Sequence, residues 1–204
     1  MEQWKLRWQE GRIGFHLPEV NTHLIRHSEQ LIKQKVKNIF VPLCGKSLDL
    51  LWLAGRRKKV VGVESVRQPV EEFFKENNLK YTIQHVDEFE IFKSDSIDIY
   101  LGDFFALRRI KIGQFSAVYD RGSIVAIESV RREKYVDHLM NLLTEDGIIL
   151  LITLEYDYNL MQGPPYSVSF SEVKNLFSKH GKLELLETSD IIDDRFRKKG
   201  LERI

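Results

Sequence analysis

The sequence predicts an α/β fold in which helices pack on a mostly parallel β-sheet, and three features of its 204 residues support this class. Short apolar runs alternate with amphipathic segments, which is typical of helices on a parallel sheet. An apolar strand that includes Phe40 and Val41 leads through a tight turn with one glycine, Gly45, towards a helix that begins near Ser47. Glu64 ends the next apolar run, nineteen positions after Gly45. Together these features indicate a nucleotide pocket at the edge of the sheet.

Six strands are predicted, because most of these runs are rich in the β-branched and aromatic residues that buried strands favour. They cover residues 38–43, 59–64, 97–101, 115–120, 147–155 and 182–191.

Four helices are predicted in the same part of the chain, at residues 47–54, 69–77, 131–143 and 170–180. Ser47 is placed to cap the first of them, and Gly55 to end it. The last has the clearest boundaries, because Ser169 and Glu172 form a capping box and Gly181 follows its final turn.

A segment of nearly forty residues precedes the first strand. Trp4 and Trp8 are four positions apart, Phe15 follows, and Pro18 opens a further helix. Such a segment can roof the crevice outside the carboxyl ends of the strands, or it can simply cover the sheet. On the aromatic residues alone, ordinary packing is the favoured interpretation.

The turn 42–47 excludes two nucleotide-binding motifs. Its sequence Gly45, Lys46, Ser47 resembles the end of a P-loop, but a P-loop requires a glycine where this chain has Phe40. A dinucleotide motif requires three glycines near the pyrophosphate, and this turn has one. We therefore expect a nucleoside ligand without phosphates, such as S-adenosylmethionine, with Glu64 on its ribose.

Composition limits the classes of function. The length suits one globular domain, and 31 Lys and Arg residues nearly balance 30 Asp and Glu residues, so we expect no nucleic-acid or membrane partner. One cysteine excludes an internal disulfide. The N-terminus is charged where a signal peptide is apolar, and the longest apolar stretch, 148–154, is too short to span a bilayer. We expect a cytoplasmic monomer.

Motifs along nearly the whole chain resemble those of the thiopurine S-methyltransferase family, and of its bacterial members in particular. They are the paired Trp4 and Trp8, and residues 13–16, 20–21, 41–47, 62–64, 102–105, 120–122, 152–154 and 163–166. The resemblance implies the class I methyltransferase fold, a Rossmann-like three-layer sandwich with a mostly parallel seven-stranded sheet. It also implies an N-terminal lid, 1–36, on an α/β core, 37–204. The resemblance would place the beginning of the last strand near Leu201, so we expect this strand either to be truncated or to pair over an unusually short length.

The resemblance also implies roles for individual residues. Trp4 would lie near the methionine end of S-adenosylmethionine, Leu43 at the first turn and Glu64 on the ribose. Asp103 and Phe104 would contact the adenine. Phe15 and Arg121 would lie where cofactor and acceptor meet, and the acceptor side would also include Pro164, Pro165 and Arg195.

Most of these residues, and several others, have plainer interpretations. Glu64 would otherwise be a solvated acid, and Arg121 would pair with Asp120, but ligand contact is favoured for both. Cys44 is interpreted as a small apolar residue, because no base is patterned beside it. His23 and His27 have a metal-ligand spacing without an evident third ligand, so we expect no metal site. The basic run 195–199 follows two aspartates and is interpreted as a solvated loop.

The preferred function is S-adenosylmethionine-dependent methylation of small aromatic or heterocyclic thiols. The sequence does not separate it from methylation of selenium or tellurium species for detoxification. A nicotinamide-dependent oxidoreductase would also have an acid at the position of Glu64, but this chain lacks the glycines that such an enzyme needs at the first turn. A protein that binds the cofactor without catalysis is a third hypothesis. Arg121 would orient the thiolate, and no strong general base is expected, because alignment and exclusion of water suffice for this transfer.

Overall fold

The computed structural model describes residues 2–33, 35–108 and 112–204, and the side chain of Arg195 lies outside the description. The chain forms two compact units. The first contains the residues up to Asp120 together with Asn141–Leu150, and the second contains Arg121–Met140 and Leu151–Ile204. The single domain with a lid at 1–36 and a core at 37–204 stays a prediction.

The α-helices of the described residues are α1 Glu2–Gln9, α2 Thr22–His27, α3 Asp49–Ala54, α4 Arg67–Glu76, α5 Ser129–Leu142, α6 Phe170–Phe177 and α7 Asp194–Arg197. The strands are β1 Asn38–Val41, β2 Lys59–Glu64, β3 Thr82–Val86, β4 Phe89–Lys93, β5 Ile97–Leu101, β6 Phe115–Arg121 and β7 Leu143–Ile152. Short 3₁₀ turns follow α2, β5 and β6 at Ser28–Gln30, Phe104–Ala106 and Ile124–Ala126.

These strands form one seven-stranded sheet in the order β3-β4-β5-β2-β1-β6-β7. Strand β1 lies between β2 and β6 and is parallel to both, and β2 is also parallel to β5. The predicted α/β class with a mostly parallel sheet is therefore confirmed, and β2 and β5 have the predicted bounds. Both strands are largely buried, as their apolar sequences require.

Parallel pairing brings the carboxyl ends of β1, β2 and β5 to the same edge of the sheet. Two backbone hydrogen bonds tie the loops at this edge to β2. The amide of Cys44, after β1, donates to the carbonyl of Val63 at 3.0 Å, and the amide of Gly102, after β5, donates to the carbonyl of Glu64 at 2.9 Å. Three separate loops therefore meet around the end of β2.

The antiparallel hairpin of β3 and β4 was not predicted. Val86 pairs with Phe89, so the loop contains only Asp87 and Glu88, and Asp87 has a φ of 52°. Two-residue hairpin loops require such left-handed residues, and aspartate adopts this conformation more readily than most. Strand β3 is exposed along its length, so it lacks the apolar run that identified the other strands.

The predicted strand at 182–191 is wrong, and no last strand begins at Leu201, although both segments lie within the described residues. The segment 182–191 leaves Leu185 and Leu186 about half exposed, so its apolar residues are not those of a buried strand. One backbone hydrogen bond joins the amide of Ile191 to the carbonyl of Ile204 at 3.0 Å, which is too little for a ladder. The seven strands are completed by the β3–β4 hairpin instead.

Helix boundaries follow the predicted caps to different degrees. The hydroxyl of Ser169 accepts from the amide of Glu172 at 3.2 Å, as predicted, although α6 ends three residues early, at Phe177. The Glu172 carboxylate also accepts from the buried Arg132 at 2.6 Å. Helix α3 begins at Asp49, two residues later than predicted, with Ser47 accepting from the Asp49 amide at 3.2 Å.

Among the described residues, no helix is both long enough and apolar enough to cross a bilayer. The expected monomer and the expected cytoplasmic location stay predictions.

Candidate functional site

The turn between β1 and α3 is held in an unusual backbone conformation. Leu43 and Gly45 have φ values of 43° and 52°, in the left-handed region that costs energy for a residue with a side chain. Two hydrogen bonds to β2 fix the turn, one from Cys44 to the Val63 carbonyl and one from the Gly45 amide to Glu64 Oε2 at 3.0 Å. Because the Gly45 amide binds Glu64, the turn that contains Leu43 lies against the Glu64 carboxylate, as the prediction of a shared site requires.

Glu64 ends β2 and is only 6% exposed. Oε2 accepts from the Gly45 amide, while Oε1 accepts from the amides of Ser65 at 2.7 Å and Val66 at 2.9 Å. The Ser65 hydroxyl adds a longer contact to Oε1 at 3.3 Å. Burial raises the pKa of Glu64 more than the amide hydrogen bonds of Val66, Gly45 and Ser65 lower it. The carboxyl group is thus fixed by backbone groups and is not a solvated strand-end acid.

The donors around Glu64 leave room for a ribose hydroxyl. A carboxylate oxygen accepts about two hydrogen bonds, and Oε2 has one amide on it in the described structure. On Oε1, the Ser65 hydroxyl makes the longest of the contacts and can rotate away. The amides hold the carboxylate in place, so a sugar hydroxyl can bond to it without rearrangement of the backbone. These residues fit the ribose of S-adenosylmethionine.

Cys44 is a packing residue. It is 6% exposed, and its Sγ faces Gly62 of β2 so closely that a Cβ on Gly62 would lie 2.6 Å from it. Burial raises the pKa of the Cys44 thiol well above its ordinary value, and the charge of Glu64 raises it further. The group is therefore a neutral thiol, which agrees with the prediction that Cys44 is not a nucleophile.

The aromatic residues of the N-terminal segment pack together over this turn. Phe15 makes edge-to-face contacts with Trp4, at 5.6 Å between ring centroids, and with Trp8, at 5.3 Å. Trp8 is 4% exposed, and a Cβ built on Gly45 would lie 3.1 Å from its Cζ2 atom. The resemblance implied a cofactor contact for Trp4, whereas Trp8 was recognised only as its partner in the motif and was given no role of its own. The Trp8 indole touches the first turn at Gly45.

A buried acid that the sequence analysis missed anchors the N-terminal segment. Asp49, the first residue of α3, is 1% exposed. Its Oδ1 accepts from the Asn21 amide at 2.8 Å, and its Oδ2 accepts from the Tyr119 hydroxyl of β6 at 2.9 Å. Asn21 in turn caps α2. The signal was an acid inside the apolar run 48–53, which is unusual on a buried helix.

Asp103 and Phe104 follow β5 on the same edge of the sheet. Asp103 is exposed and accepts from the Phe105 amide at 3.1 Å, so it caps the short turn Phe104–Ala106. Phe104 is 1% exposed and stacks on Phe40 of β1 at 6.3 Å between centroids. The Phe104 ring is a core group, and Asp103 is the exposed residue of the pair at this edge.

A cavity of about 300 Å³ opens beside the residues that follow Glu64. One wall is the face of α1 that carries Glu2, Lys5 and Gln9, and the other is the segment 65–68 at the start of α4. Helix α1 therefore borders this cavity and also covers the first turn.

The predicted acceptor residues fall in the second unit, except for Phe15. Arg121 is the last residue of β6, directly after the fully buried Asp120. The carbonyl of Pro165 accepts from the Tyr156 hydroxyl. Burial raises the pKa of Tyr156 to about 12, so this hydroxyl stays a donor at neutral pH and is not a general base. The backbone of Arg195 lies in α7, and its side chain is outside the described structure.

A family model described as thiopurine S-methyltransferase matches residues 1–204. A thiopurine S-methyltransferase of Pseudomonas fluorescens strain Pf0-1 is 40% identical over 205 residues, which cover 100% of this chain and 94% of the relative. A thiopurine S-methyltransferase of Nitrosospira multiformis is 41% identical and covers 100% of this chain and 93% of its own.

Solved structures of methyltransferases resemble the chain at much lower identity. A TehB-like SAM-dependent methyltransferase of Corynebacterium glutamicum gives a TM-score of 0.55 at 11% identity, with 88% of this chain and 82% of the other covered. The glycopeptide N-methyltransferase MtfA, complexed with S-adenosylmethionine, gives 0.52 at 15% identity, with 72% and 59% covered. At these identities the likeness concerns the fold.

Proposed function

The chain belongs to the thiopurine S-methyltransferase family and is an S-adenosylmethionine-dependent methyltransferase, and from this we propose that its acceptor is a small aromatic or heterocyclic thiol. The observation that carries the proposal is the full-length relationship, at about 40% identity, to proteins that bear this acceptor in their names. Family membership also decides against the oxidoreductase and the non-catalytic hypotheses.

We propose that the cofactor's nucleoside is held at the carboxyl ends of β1, β2 and β5. Glu64 is to bind a ribose hydroxyl through Oε2, because the Gly45 amide already fixes that oxygen. Leu43 lies in the same turn and the Trp8 ring packs on it. The exposed Asp103 and the adjoining Phe104 are proposed to meet the adenine. Phe15 contacts Trp8 edge to face and contacts Trp4 in the same way, and we propose that these three rings exclude water above the turn.

When bound, the cofactor supplies a methyl group on a sulfonium, which is already a strong electrophile. The protein then has to align the acceptor and exclude water, and neither task needs a strong base. The thiol of Cys44 and the hydroxyl of Tyr156 both have raised pKa values and stay protonated, so neither acts as a strong base. We propose that Arg121 favours the thiolate form of the acceptor by its charge. Pro164, Pro165 and Arg195 are proposed to shape the acceptor side.

The test is transfer of a labelled methyl group from S-adenosylmethionine to 6-mercaptopurine by the purified protein. Selenite and tellurite serve as competing acceptors, since methylation of these species is the alternative. The proposal requires faster labelling of the thiol, and exclusive labelling of selenium or tellurium products would reject it.

A further inference from the structure

Side chains of helix α4 link the first turn to helix α1. The ammonium of Lys46, in the turn, lies 2.8 Å from Glu72 Oε2 and 2.7 Å from Glu76 Oε1. The side-chain amide of Gln68 donates to Glu72 Oε1 at 2.8 Å and to the backbone carbonyl of Trp8 at 3.5 Å. The two oxygens of Glu72 thus take different donors, one from the turn and one that reaches α1.

This arrangement contacts Trp8 from two sides. Its ring lies on Gly45, one residue before Lys46, while its carbonyl receives Gln68. Helix α1 ends at Gln9, so the Trp8 carbonyl is one of the terminal carbonyls that have no partner within the helix. It also accepts from the Gly11 amide at 3.2 Å. A donor at this point therefore fixes the end of α1 without disturbing its internal hydrogen bonds.

The charges favour the arrangement at neutral pH. The Lys46 side chain is 10% exposed and that of Glu72 is 31% exposed, so solvent screens their attraction only in part. Burial opposes ionisation of Glu72, but the hydrogen bonds of Lys46 and Gln68 and the charge of His16 together lower its pKa. An ionised Glu72 also makes its bond to the Gln68 amide a charge-assisted one.

We propose that Lys46, Glu72 and Gln68 form a latch that holds α1 and the Trp8 ring over the first turn, and so set the affinity for the adenosyl cofactor. The proposal rests on the cofactor site proposed above. The three are positioning residues, since they contact the turn and the helix. Loss of the latch weakens cofactor binding and leaves methyl transfer in the saturated enzyme unchanged.

Three variants separate the latch from simple ion pairing. Gln68→Met keeps the size of the side chain and removes the donor, and Glu72→Gln removes the charge between Lys46 and Gln68. Glu76→Gln is the matched control, because it removes the other carboxylate partner of Lys46 and leaves the link to Trp8 intact. Calorimetry with S-adenosylhomocysteine measures binding without any acceptor.

The latch predicts that Gln68→Met and Glu72→Gln raise the dissociation constant about three- to tenfold, the range for one net hydrogen bond. Glu76→Gln changes it by less than about twofold, as for an exposed ion pair. Trypsin also cleaves after the exposed Arg12 faster in unliganded Gln68→Met, and saturating ligand restores protection. In steady-state assays the KM for S-adenosylmethionine rises while kcat is retained.

Wild-type affinity for S-adenosylhomocysteine in both Gln68→Met and Glu72→Gln would overturn the latch and leave the cofactor site standing. The latch would also be overturned if Glu76→Gln lost as much affinity as Glu72→Gln. A wild-type protein that fails to bind S-adenosylhomocysteine would overturn the cofactor site together with the latch. The unfolding midpoint of unliganded Gln68→Met is expected to match that of the wild type, and a large decrease would show that Gln68 serves general stability instead.

Discussion

Replacement of Gly62 by alanine places a methyl group between β2 and the first turn. The added Cβ would lie 2.6 Å from Cys44 Sγ, 3.3 Å from Cys44 Cβ and 3.5 Å from Ile99 Cγ1. Ordinary contacts between such atoms are about 3.5–4.0 Å, so the strand and the turn must separate by roughly 1 Å. The hydrogen bond from Cys44 to the Val63 carbonyl resists that separation.

The expected cost follows from overpacking at a closed site. Cys44 is 6% exposed, so its sulfur has little space to move into, and Gly62→Ala is expected to lower the free energy of unfolding by about 1–3 kcal/mol. Cys44→Ala removes the sulfur and leaves the 3.3 Å contact as the closest one. The double variant Gly62→Ala, Cys44→Ala should therefore be more stable than the sum of the single effects predicts, by about 1–2 kcal/mol.

The assay is urea unfolding of the four proteins under one condition without ligand, after a check that unfolding is two-state. The single variants report the cost at each site, and the double-mutant cycle reports their coupling. Additive effects, within about 0.5 kcal/mol, would refute the inferred contact between the sulfur and Gly62.

Three further predictions concern the same edge of the sheet. Gly45→Ala forces a residue with a side chain to a φ of 52° and places its Cβ 3.1 Å from Trp8. Urea unfolding should show a free energy of unfolding lower by about 1–2 kcal/mol, and calorimetry should show weaker cofactor binding. Gly113→Ala, at a φ of 83° in open space, is the control and should keep cofactor binding intact. Arg121→Ala should reduce kcat for a thiol about tenfold while calorimetric cofactor affinity is largely retained, and an unchanged kcat would remove Arg121 from the acceptor side. The raised pKa of Glu64 means that its ionisation opposes folding. The free energy of unfolding of the wild type should therefore decline relative to that of Glu64→Gln as pH rises from the ordinary pKa of a glutamate through the raised one. Urea unfolding of both proteins over a series of pH values tests this, and a difference between them that does not change with pH would contradict it.

The parallel core was predictable because its strands are buried on both faces. Strands β2 and β5 consist largely of apolar residues, and the ends of such apolar runs in the sequence mark the ends of the strands. The position of Glu64 at the end of β2 followed from the same pattern. Sequence reasoning located this acid, but only the structure shows its amide partners, since they come from the turn before it and the loop after it.

The elements and residues that were predicted wrongly or missed depend on contacts that the local sequence does not show. Strand β3 is exposed and is defined by pairing with β4, so its sequence lacks a buried period. The segment 182–191 has apolar residues without a partner strand, and β-propensity alone does not make a ladder. Asp49 and Trp8 were missed because their roles depend on Asn21, Tyr119 and Gly45, which are distant in sequence and adjacent only after folding.

The most direct test of the account is calorimetric titration of Glu64→Ala with S-adenosylmethionine. A folded variant is required, which circular dichroism establishes, and Glu71→Ala, on the exposed face of α4, is the control. Hydrogen bonds to a charged group are worth about 1.5–3 kcal/mol, so the account predicts affinity about ten- to a hundredfold weaker than in the wild type. Wild-type affinity in Glu64→Ala would contradict the placement of the ribose at the end of β2.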